Sequence, residues 1–329
     1  MIVREVPKPV PARGEALVRV LSAGICGSEI HAYHGRHAKR VPPAIMGHEV
    51  CGVVEALGEG VTAPAPGTRV VVLPQKACGI CHWCMHGSPN LCDAKTMLGE
   101  TVWAGGFADY FAAPAELLYP IDDHVPDDVA TLIEPLAVAV HAVRRAGIGL
   151  ADRVVVMGAG AVGLMIMLAA REAGAGTVLA TDLYDYNLER ACEVGATHVV
   201  NVGVGEAVAV ARELGGGLGM DAAFVAADAP GLFDQAVGSV RKQGVITLIA
   251  MFPEPRTVNL QAPKAMEHEI HGSLTFTPAD FRAAVDLMQV RHERAQTCIT
   301  RRFPLEQGAR AFEIADTRSE DLVRIVLRP

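Results

Sequence analysis

A buried strand that runs directly into a glycine-rich turn is the feature that most constrains the fold. The run Arg153–Met157 is almost wholly apolar, and Gly158, Gly160 and Gly163 follow in a Gly-x-Gly-x-x-Gly pattern that opens an apolar helix. Such a unit needs glycine for its tight turn, for close approach to a phosphate and for close packing of helix on strand. The segment therefore predicts a β-α-β unit that holds a pyrophosphate at a helix N-terminus.

Apolar runs and Ala-rich segments continue to alternate on the C-terminal side of this unit. Further strands are predicted at 177–181, 221–226, 245–250 and 270–276, with helical patterns between them. Strands that alternate with helices are typical of a parallel sheet covered on both faces. We therefore expect an α/β fold built on a doubly wound parallel sheet of the Rossmann type.

The N-terminal third has a different texture. Short runs rich in β-branched residues, such as 16–20 and 50–54, are separated by glycine and proline and predict many short strands. After residue 276 we expect a helix capped near Thr277 and a closing strand at 321–327. A chain of 329 residues is too long for one ordinary core, so two domains are expected.

Composition and charge exclude several classes of partner. The net charge is −8 and no run is rich in Lys or Arg, which argues against nucleic acid. The first residues lack the pattern of a secretory signal, so we expect a cytoplasmic protein. The uncharged stretch 154–170 could resemble a membrane span, but its glycines mark a strand-to-helix turn, so no membrane association is expected.

An acidic residue ends the second predicted strand of the β-α-β unit. Asp182 lies 19 residues beyond Gly163, where a carboxylate can accept hydrogen bonds from the adenosine ribose and would repel a 2′-phosphate. This placement predicts NAD rather than NADP, the alternative being an aspartate that only caps a helix. The candidate cofactor-binding residues are Gly158, Gly160, Val162, Gly163 and Asp182.

Four cysteines follow one another with the spacing C-x2-C-x2-C-x7-C. They are Cys78, Cys81, Cys84 and Cys92. Four thiolates from one short loop can enclose a zinc ion and leave no position for substrate, so we expect a structural zinc. Two disulfides or an iron–sulfur cluster are the alternatives, and a chain without a secretion signal favours metal over disulfides.

Ligands of a different kind lie further towards the N-terminus. Cys26 stands alone, and His48 and Glu49 follow a glycine. A thiolate, an imidazole and a carboxylate make an open zinc site, which keeps a position for water or substrate and can act as a Lewis acid on an alcohol.

With these motifs the chain resembles the zinc-containing medium-chain alcohol dehydrogenase superfamily, in particular its polyol (sorbitol-like), butanediol and threonine dehydrogenase branches. The resemblance implies a GroES-like, zinc-binding catalytic domain at 1–134 and 277–329 around a Rossmann NAD-binding domain at 135–276. It also implies a catalytic zinc on Cys26 and His48, with Glu49 as a third, exchangeable ligand. Glu134 matches a glutamate that these branches place at the same metal, as a ligand either directly or through water. Relatives begin with one strand more, so we expect a preceding strand to be missing here.

The resemblance also implies a proton relay. Ser28 and His31 match a hydroxyl and a histidine that carry a proton away from the alcohol through the cofactor ribose. The chain departs from the family at two positions. Glu29 stands where an aspartate usually orients the zinc-bound histidine, and Asn187 stands where a basic residue often contacts the ribose.

The expected enzyme oxidises a secondary hydroxyl of a polyol, sugar alcohol or diol. Ser28, His31 and Glu49 are its candidate catalytic residues, and NAD and two zinc ions per subunit, one catalytic and one structural, are its expected cofactors. We also expect a homodimer or homotetramer. L-threonine 3-dehydrogenase is the alternative within the class, and a catalytically silent NAD-binding protein is the alternative outside it.

Overall fold

The computed structural model describes residues 1–329, which fold as two compact units. Unit 1 combines Met1–Glu134 with Thr277–Pro329, and unit 2 is Pro135–Phe276. No helix in the structure combines the length and the apolar character that crossing a membrane requires.

Unit 1 is built on a seven-stranded, mainly antiparallel sheet. Strand β1 is its centre, because β1 pairs antiparallel with β2, β6 and β15, while β14 and β15 pair in parallel. A separate pair, β4 and β5, leads into and out of the cysteine loop. The strands are β1 (Glu15–Gly24), β2 (Glu49–Leu57), β3 (Arg69–Val72), β4 (Gln75–Lys76), β5 (Thr96–Met97), β6 (Tyr110–Pro114), β7 (Leu118–Pro120), β14 (Ile299–Pro304) and β15 (Arg324–Arg328).

Two helices of unit 1, α1 (Gly27–Tyr33) and α10 (Pro278–Ala295), begin where side chains satisfy free backbone amides. In the expected C-terminal helix, the Thr277 side chain accepts from the Asp280 amide, and Asp280 accepts from the Thr277 amide in return. This confirms the predicted cap. The helices are α1 (Gly27–Tyr33), α2 (His82–Met85), α3 (Asp127–Ala130), α10 (Pro278–Ala295) and α11 (Gly308–Thr317). Short 3₁₀ turns occupy Pro89–Leu91, Ala115–Leu117, Gln296–Cys298 and Leu305–Gln307.

Unit 2 contains a six-stranded sheet in which all pairs are parallel, in the order β10-β9-β8-β11-β12-β13. This confirms the expected doubly wound α/β class. The strands are β8 (Arg153–Met157), β9 (Thr177–Asp182), β10 (His198–Asn201), β11 (Met220–Val225), β12 (Val240–Leu248) and β13 (Glu269–Gly272). The helices are α4 (Ile133–Arg145, starting at the end of unit 1), α5 (Ala161–Glu172), α6 (Asp185–Val194), α7 (Ala207–Leu214), α8 (Leu232–Ser239) and α9 (Gln261–Ala265).

The uncharged stretch 154–170 is strand β8, the glycine turn and most of α5. Helix α5 is buried from Gly163 to Ala170, which explains why it is apolar on all sides.

Several of the expected strands have different bounds in the structure. The last strand of unit 2 ends at Gly272 rather than at 276, and Thr275 takes a positive φ of 48° soon afterwards. The final strand of unit 1 begins at Arg324, and β12 begins five residues before its most apolar part. Strand β10 was not expected, because it lies at the sheet edge with His198 and Val199 exposed and so carries little hydrophobic signal.

Candidate active site and metal centres

Cys26, His48 and Glu49 come together because β1 pairs with β2. Cys26 lies just after β1, and Glu49, the first residue of β2, pairs with Gly24 across the sheet. A Cβ atom on Gly24 would lie 2.3 Å from Glu49 Oε2, so only glycine leaves room for this carboxylate. One ligand atom from each of Cys26, His48 and Glu49 lies within 4.8 Å of the others.

The Glu49 carboxylate is fully buried, and neither of its oxygens has a hydrogen-bond partner. Arg324 Nη1 lies 3.1 Å from Oε2 as an ion pair, but without the alignment of a hydrogen bond. Arg324 instead donates from Nη1 to the carbonyl of Ile25. Since buried carboxylate oxygens are costly to leave unsatisfied, Glu49 is available to coordinate a cation.

The charged groups around Cys26 and Glu49 shift one another's pKa values. Burial by itself would raise the pKa of Cys26, but a hydrogen bond and the charge of His48, together with Arg324, lower it to about 5. Burial and the charges of Cys26 and Glu134 raise the pKa of Glu49 well above its usual value, against the effect of Arg324. Burial also raises the pKa of Glu134 to about 7. A dication at the centre would relieve this crowding of acids.

Glu134 belongs to the same buried set of charges, as the second residue of α4. It is not one of the residues whose ligand atoms lie within 4.8 Å of one another. Glu134 as a ligand therefore stays a prediction.

Glu29 supports two of the three candidate ligands. Its Oε1 accepts a hydrogen bond from His48 Nδ1 at 2.9 Å and another from the Gly47 amide at 2.8 Å. Its Oε2 accepts from the Cys26 amide at 2.9 Å, which also caps α1. Burial would raise the pKa of Glu29, but His48 and Arg40 lower it, so the carboxylate is ionised and only accepts. His48 Nδ1 must then be the donor, which leaves Nε2 for a metal.

Ser28 and His31 lie on α1, on the C-terminal side of Cys26, and both are half-buried. Ser28 Oγ accepts a hydrogen bond of 2.7 Å from Nη1 of Arg40, a residue that is itself buried. The hydroxyl and the imidazole are thus close in sequence to the candidate metal ligand and remain partly accessible.

The donor set fits zinc. A thiolate, an imidazole and a carboxylate are ligand types that catalytic zinc sites use, and three protein ligands leave one position open. The unsatisfied oxygens of Glu49 are the observation that favours an ion here.

The cysteine loop forms a second group of ligand atoms. The Sγ atoms of Cys81 and Cys84 are 3.4 Å apart, and those of Cys78 and Cys84 are 3.9 Å apart. Tetrahedral Zn–S bonds of about 2.3 Å require S···S distances of about 3.8 Å, whereas a disulfide requires about 2 Å. Backbone amides of Ile80 and Cys81 lower the pKa of Cys78 to about 6. The four thiols therefore fit a closed tetrathiolate zinc site.

The glycine-rich turn of unit 2 has the shape that a pyrophosphate needs. Gly158 takes a φ of 101°, and a Cβ on Gly163 would lie 1.8 Å from the Gly158 carbonyl oxygen. A Cβ on Gly160 would meet nothing within 4 Å, so open space lies above the residue that caps α5. Val162 lies in the first turn of that helix.

Asp182 ends β9 beside this turn. Its Oδ2 accepts from the Ala159 amide at 2.7 Å, and its Oδ1 accepts from the Tyr184 amide at 3.0 Å and from Asn187 Nδ2 at 3.3 Å. The carboxylate is therefore held at the turn and is half-buried. Asn187 is buried and orients Asp182. At position 187 the family often has a basic residue instead.

Two residues of the site, Arg324 and Arg40, could not be predicted from local sequence patterns. Strand β15 brings Arg324 to Cys26 through its pairing with β1, and no spacing near Cys26 signals this. Arg40 lies in an irregular loop between α1 and β2, where hydrophobic periodicity gives no information.

Comparisons with known proteins agree with this geometry. Residues 12–123 match the Alcohol dehydrogenase GroES-like domain, and residues 161–290 match the family described as Zinc-binding dehydrogenase. The chain is 31% identical to the sorbitol dehydrogenase of Bacillus subtilis (strain 168) over 331 residues, covering 99% of this chain and 94% of that protein.

Two solved structures are similar over nearly their whole length. One is a zinc-binding dehydrogenase from Sinorhizobium meliloti 1021 bound to NADP, with a TM-score of 0.93, 29% identity and coverage of 100% of this chain and 96% of that one. The other is an alcohol dehydrogenase from Escherichia coli CFT073 complexed with NADH, with a TM-score of 0.89, 31% identity and coverage of 99% and 94%. The chain is therefore an oxidoreductase, a member of the zinc-containing medium-chain alcohol dehydrogenase superfamily that uses a nicotinamide cofactor.

Proposed function

We propose that this enzyme oxidises a secondary hydroxyl of a polyol or diol, with zinc at Cys26, His48 and Glu49 and NAD as the hydride acceptor. The observation that carries the proposal is the compact donor group in which both Glu49 oxygens lack a hydrogen bond. When bound, zinc supplies a Lewis acid that makes an alcohol hydroxyl more acidic, and NAD supplies the hydride acceptor.

The residues of the chain have separate tasks in this reaction. Cys26 and His48 hold the metal, and Glu29 orients both of them through His48 Nδ1 and the Cys26 amide. Ser28 Oγ takes the proton of the alcohol as its own proton passes towards His31, whose imidazole can accept it.

The substrate class is supported by the similarity to sorbitol dehydrogenase over nearly the whole chain. The same similarity does not favour L-threonine as substrate. A complete set of candidate ligands for the metal argues against a catalytically silent protein.

The finer assignments of cofactor and metal are part of the proposal. Asp182, which is fixed beside the glycine turn, supports NAD over NADP, because a 2′-phosphate would meet its negative charge. The Sγ separations in the cysteine loop support a second, structural zinc on Cys78, Cys81, Cys84 and Cys92. Unit 2 then supplies the NAD-binding domain and unit 1 the catalytic domain.

We also propose a homodimer or homotetramer. Edge strand β13 and nearby segments of unit 2 expose apolar side chains, with Met251, Phe252 and Ile270 each more than 40% exposed. Such surface is expected to be covered by a second copy. Light scattering of the purified protein tests this, and a monomer at micromolar concentration would contradict it.

A panel of polyols, diols, primary alcohols and L-threonine, assayed with NAD and with NADP, tests the proposed function. We expect the highest kcat/KM for a polyol or diol with NAD, and loss of activity when a chelator removes zinc. Activity with threonine alone, or no alcohol-dependent NADH formation in zinc-replete protein, contradicts it.

A further inference from the structure

Arg40 is a buried cation that belongs to neither group of candidate metal ligands. It is 5% exposed and lies in the loop between α1 and β2. The loop is fixed around it, because His37 Nδ1 accepts hydrogen bonds from the backbone amides of Lys39 and Arg40. The guanidinium is therefore held in place rather than free to reach solvent.

The best-formed hydrogen bond of this guanidinium goes to Ser28. Nη1 donates to Ser28 Oγ at 2.7 Å. Nη2 lies 3.2 Å from His48 Nδ1, but that nitrogen already donates to the ionised Glu29, and two donors cannot bond each other. Nε is buried without a partner.

Stabilisation of the fold does not by itself account for this buried arginine. A buried cation with an unsatisfied donor loses hydration that its contacts repay only in part, and an apolar side chain of similar size often serves a core as well or better. The negative charge of Glu29 offsets some of this loss. If Arg40 only balanced the charge of Glu29, its hydrogen bond to Ser28 Oγ would have no explanation.

The chemistry of a hydroxyl shows what that bond does. Serine Oγ has one proton and two acceptor positions, whereas a guanidinium has donors only. With Arg40 on one acceptor position, Ser28 keeps one acceptor position and one proton. A group that relays a proton needs this pair: it accepts the proton of the alcohol at one position and releases its own from another.

We propose that Arg40 is a positioning residue, whose guanidinium fixes Ser28 Oγ so that the hydroxyl can accept a proton from the bound alcohol and release its own towards His31. The proton count balances, since Ser28 gains one proton and loses one, and the hydride goes to NAD. The inference rests on the proposed function, in which Ser28 relays the proton.

A double-mutant cycle between Arg40 and Ser28 tests the coupling. Arg40→Met keeps the length of the side chain and removes its donors, and Ser28→Ala removes the hydroxyl. We expect each single variant to lower kcat about 10- to 100-fold. The kcat of the double variant should lie within about threefold of that of Ser28→Ala, since both changes disrupt the same proton relay. Losses that multiply would overturn the proposal, as would wild-type kcat in Arg40→Met.

Zinc content separates the positioning role of Arg40 from a structural one. We expect Arg40→Met to keep the zinc content of the wild type, and Arg36→Met, which changes an exposed arginine of the same loop, to keep both zinc and kcat. Free guanidinium at millimolar concentration is expected to restore part of the kcat of Arg40→Ala but none of that of Ser28→Ala. If Arg40→Met does not fold, Arg40→Lys, which keeps one donor, replaces it, with an intermediate kcat expected.

A crystal structure of Arg40→Met gives a readout that does not depend on activity. We expect Ser28 to adopt more than one rotamer there and a single rotamer in the wild type. A single, unchanged rotamer would overturn the inference even if no alcohol in the panel were a substrate. An inactive wild type would instead count against the proposed function, and an active Ser28→Ala would overturn the relay and the inference together.

Discussion

Glu29 Oε1 lies 2.9 Å from His48 Nδ1, and the other oxygen of the same carboxylate binds the Cys26 amide. One side chain thus orients the imidazole of one candidate ligand and the backbone amide of another. The extra methylene of glutamate, compared with the aspartate usual in the family, lets the side chain fold back onto the start of α1 and still reach the imidazole. The departure from the family pattern is therefore compatible with an oriented histidine.

Replacement of Glu29 by glutamine tests this support. An amide has one acceptor oxygen, so its NH₂ group would face one of the donors that the carboxylate now satisfies. We expect the zinc affinity of Glu29→Gln to fall about 10- to 100-fold, measured by competition with a chromogenic chelator. Glu193→Gln, at an exposed position, is the control. Equal zinc affinity in Glu29→Gln and wild type would show that Glu29 does not orient the ligands.

Loss of one thiol from the cysteine loop tests the structural zinc. We expect Cys81→Ser to retain one zinc ion fewer per chain and to melt at a lower temperature, because three thiolates enclose the ion poorly. Metal analysis and calorimetry measure both effects. Cys192→Ser, at an exposed position outside the loop, is expected to change neither. An unchanged zinc content in Cys81→Ser would contradict the assignment.

The cofactor preference depends on the charge of Asp182. We expect Asp182→Asn to lower the ratio of kcat/KM for NAD to that for NADP by about tenfold or more, since the repulsion of a 2′-phosphate is removed. Asp185→Asn, which changes a neighbouring exposed acid bonded to Asn201, is the control. A ratio that does not move in Asp182→Asn would show that another group selects the cofactor.

Asp128 joins distant parts of unit 1, because Ser22 Oγ at 3.0 Å, Arg328 Nε at 2.8 Å and Arg302 all donate to its buried carboxylate. Burial would raise the pKa of Asp128, but these hydrogen bonds lower it below the usual value. We expect Asp128→Asn to lower the free energy of unfolding by about 3 kcal/mol at pH 7, because a charged acceptor of several bonds is lost.

The pH dependence follows from the direction of that shift. A carboxyl whose pKa is lower in the folded state stabilises the fold above its unfolded pKa of about 3.9, and the effect is lost as pH falls through the lower, folded pKa. The difference in melting temperature between wild type and Asp128→Asn should therefore stay constant from pH 8 to pH 5 and shrink below about pH 4. Asp123→Asn, at an exposed position, should show no difference at any pH. A difference that instead disappears between pH 8 and pH 5 would contradict this account.

Much of the fold could be predicted because local signals were strong. Strand β8 has the expected bounds, since an unbroken apolar run meets Gly158, whose φ of 101° favours glycine. Strand β10 could not be predicted, because its exposed edge position demands few apolar residues. Local pattern therefore determines central strands and turns, but not short edge strands.

The candidate site was predicted from residue types and spacing, and its surroundings were not. Cys26, His48 and Glu49 have metal-ligand chemistry that a sequence shows directly. Arg324 contributes only because β15 adjoins β1, and Arg40 only because its loop folds over Ser28. Contacts of this kind depend on tertiary pairing, which one sequence does not display.

The proposed reactive metal is held by Cys26, and replacement of this residue tests that metal site most directly. Zinc content and turnover are to be measured together in Cys26→Ser, with Cys192→Ser as the matched control. We expect two zinc ions per chain in the wild type and the control and one in Cys26→Ser, with turnover at least about 1000-fold lower. Two zinc ions and undiminished turnover in Cys26→Ser would contradict the account.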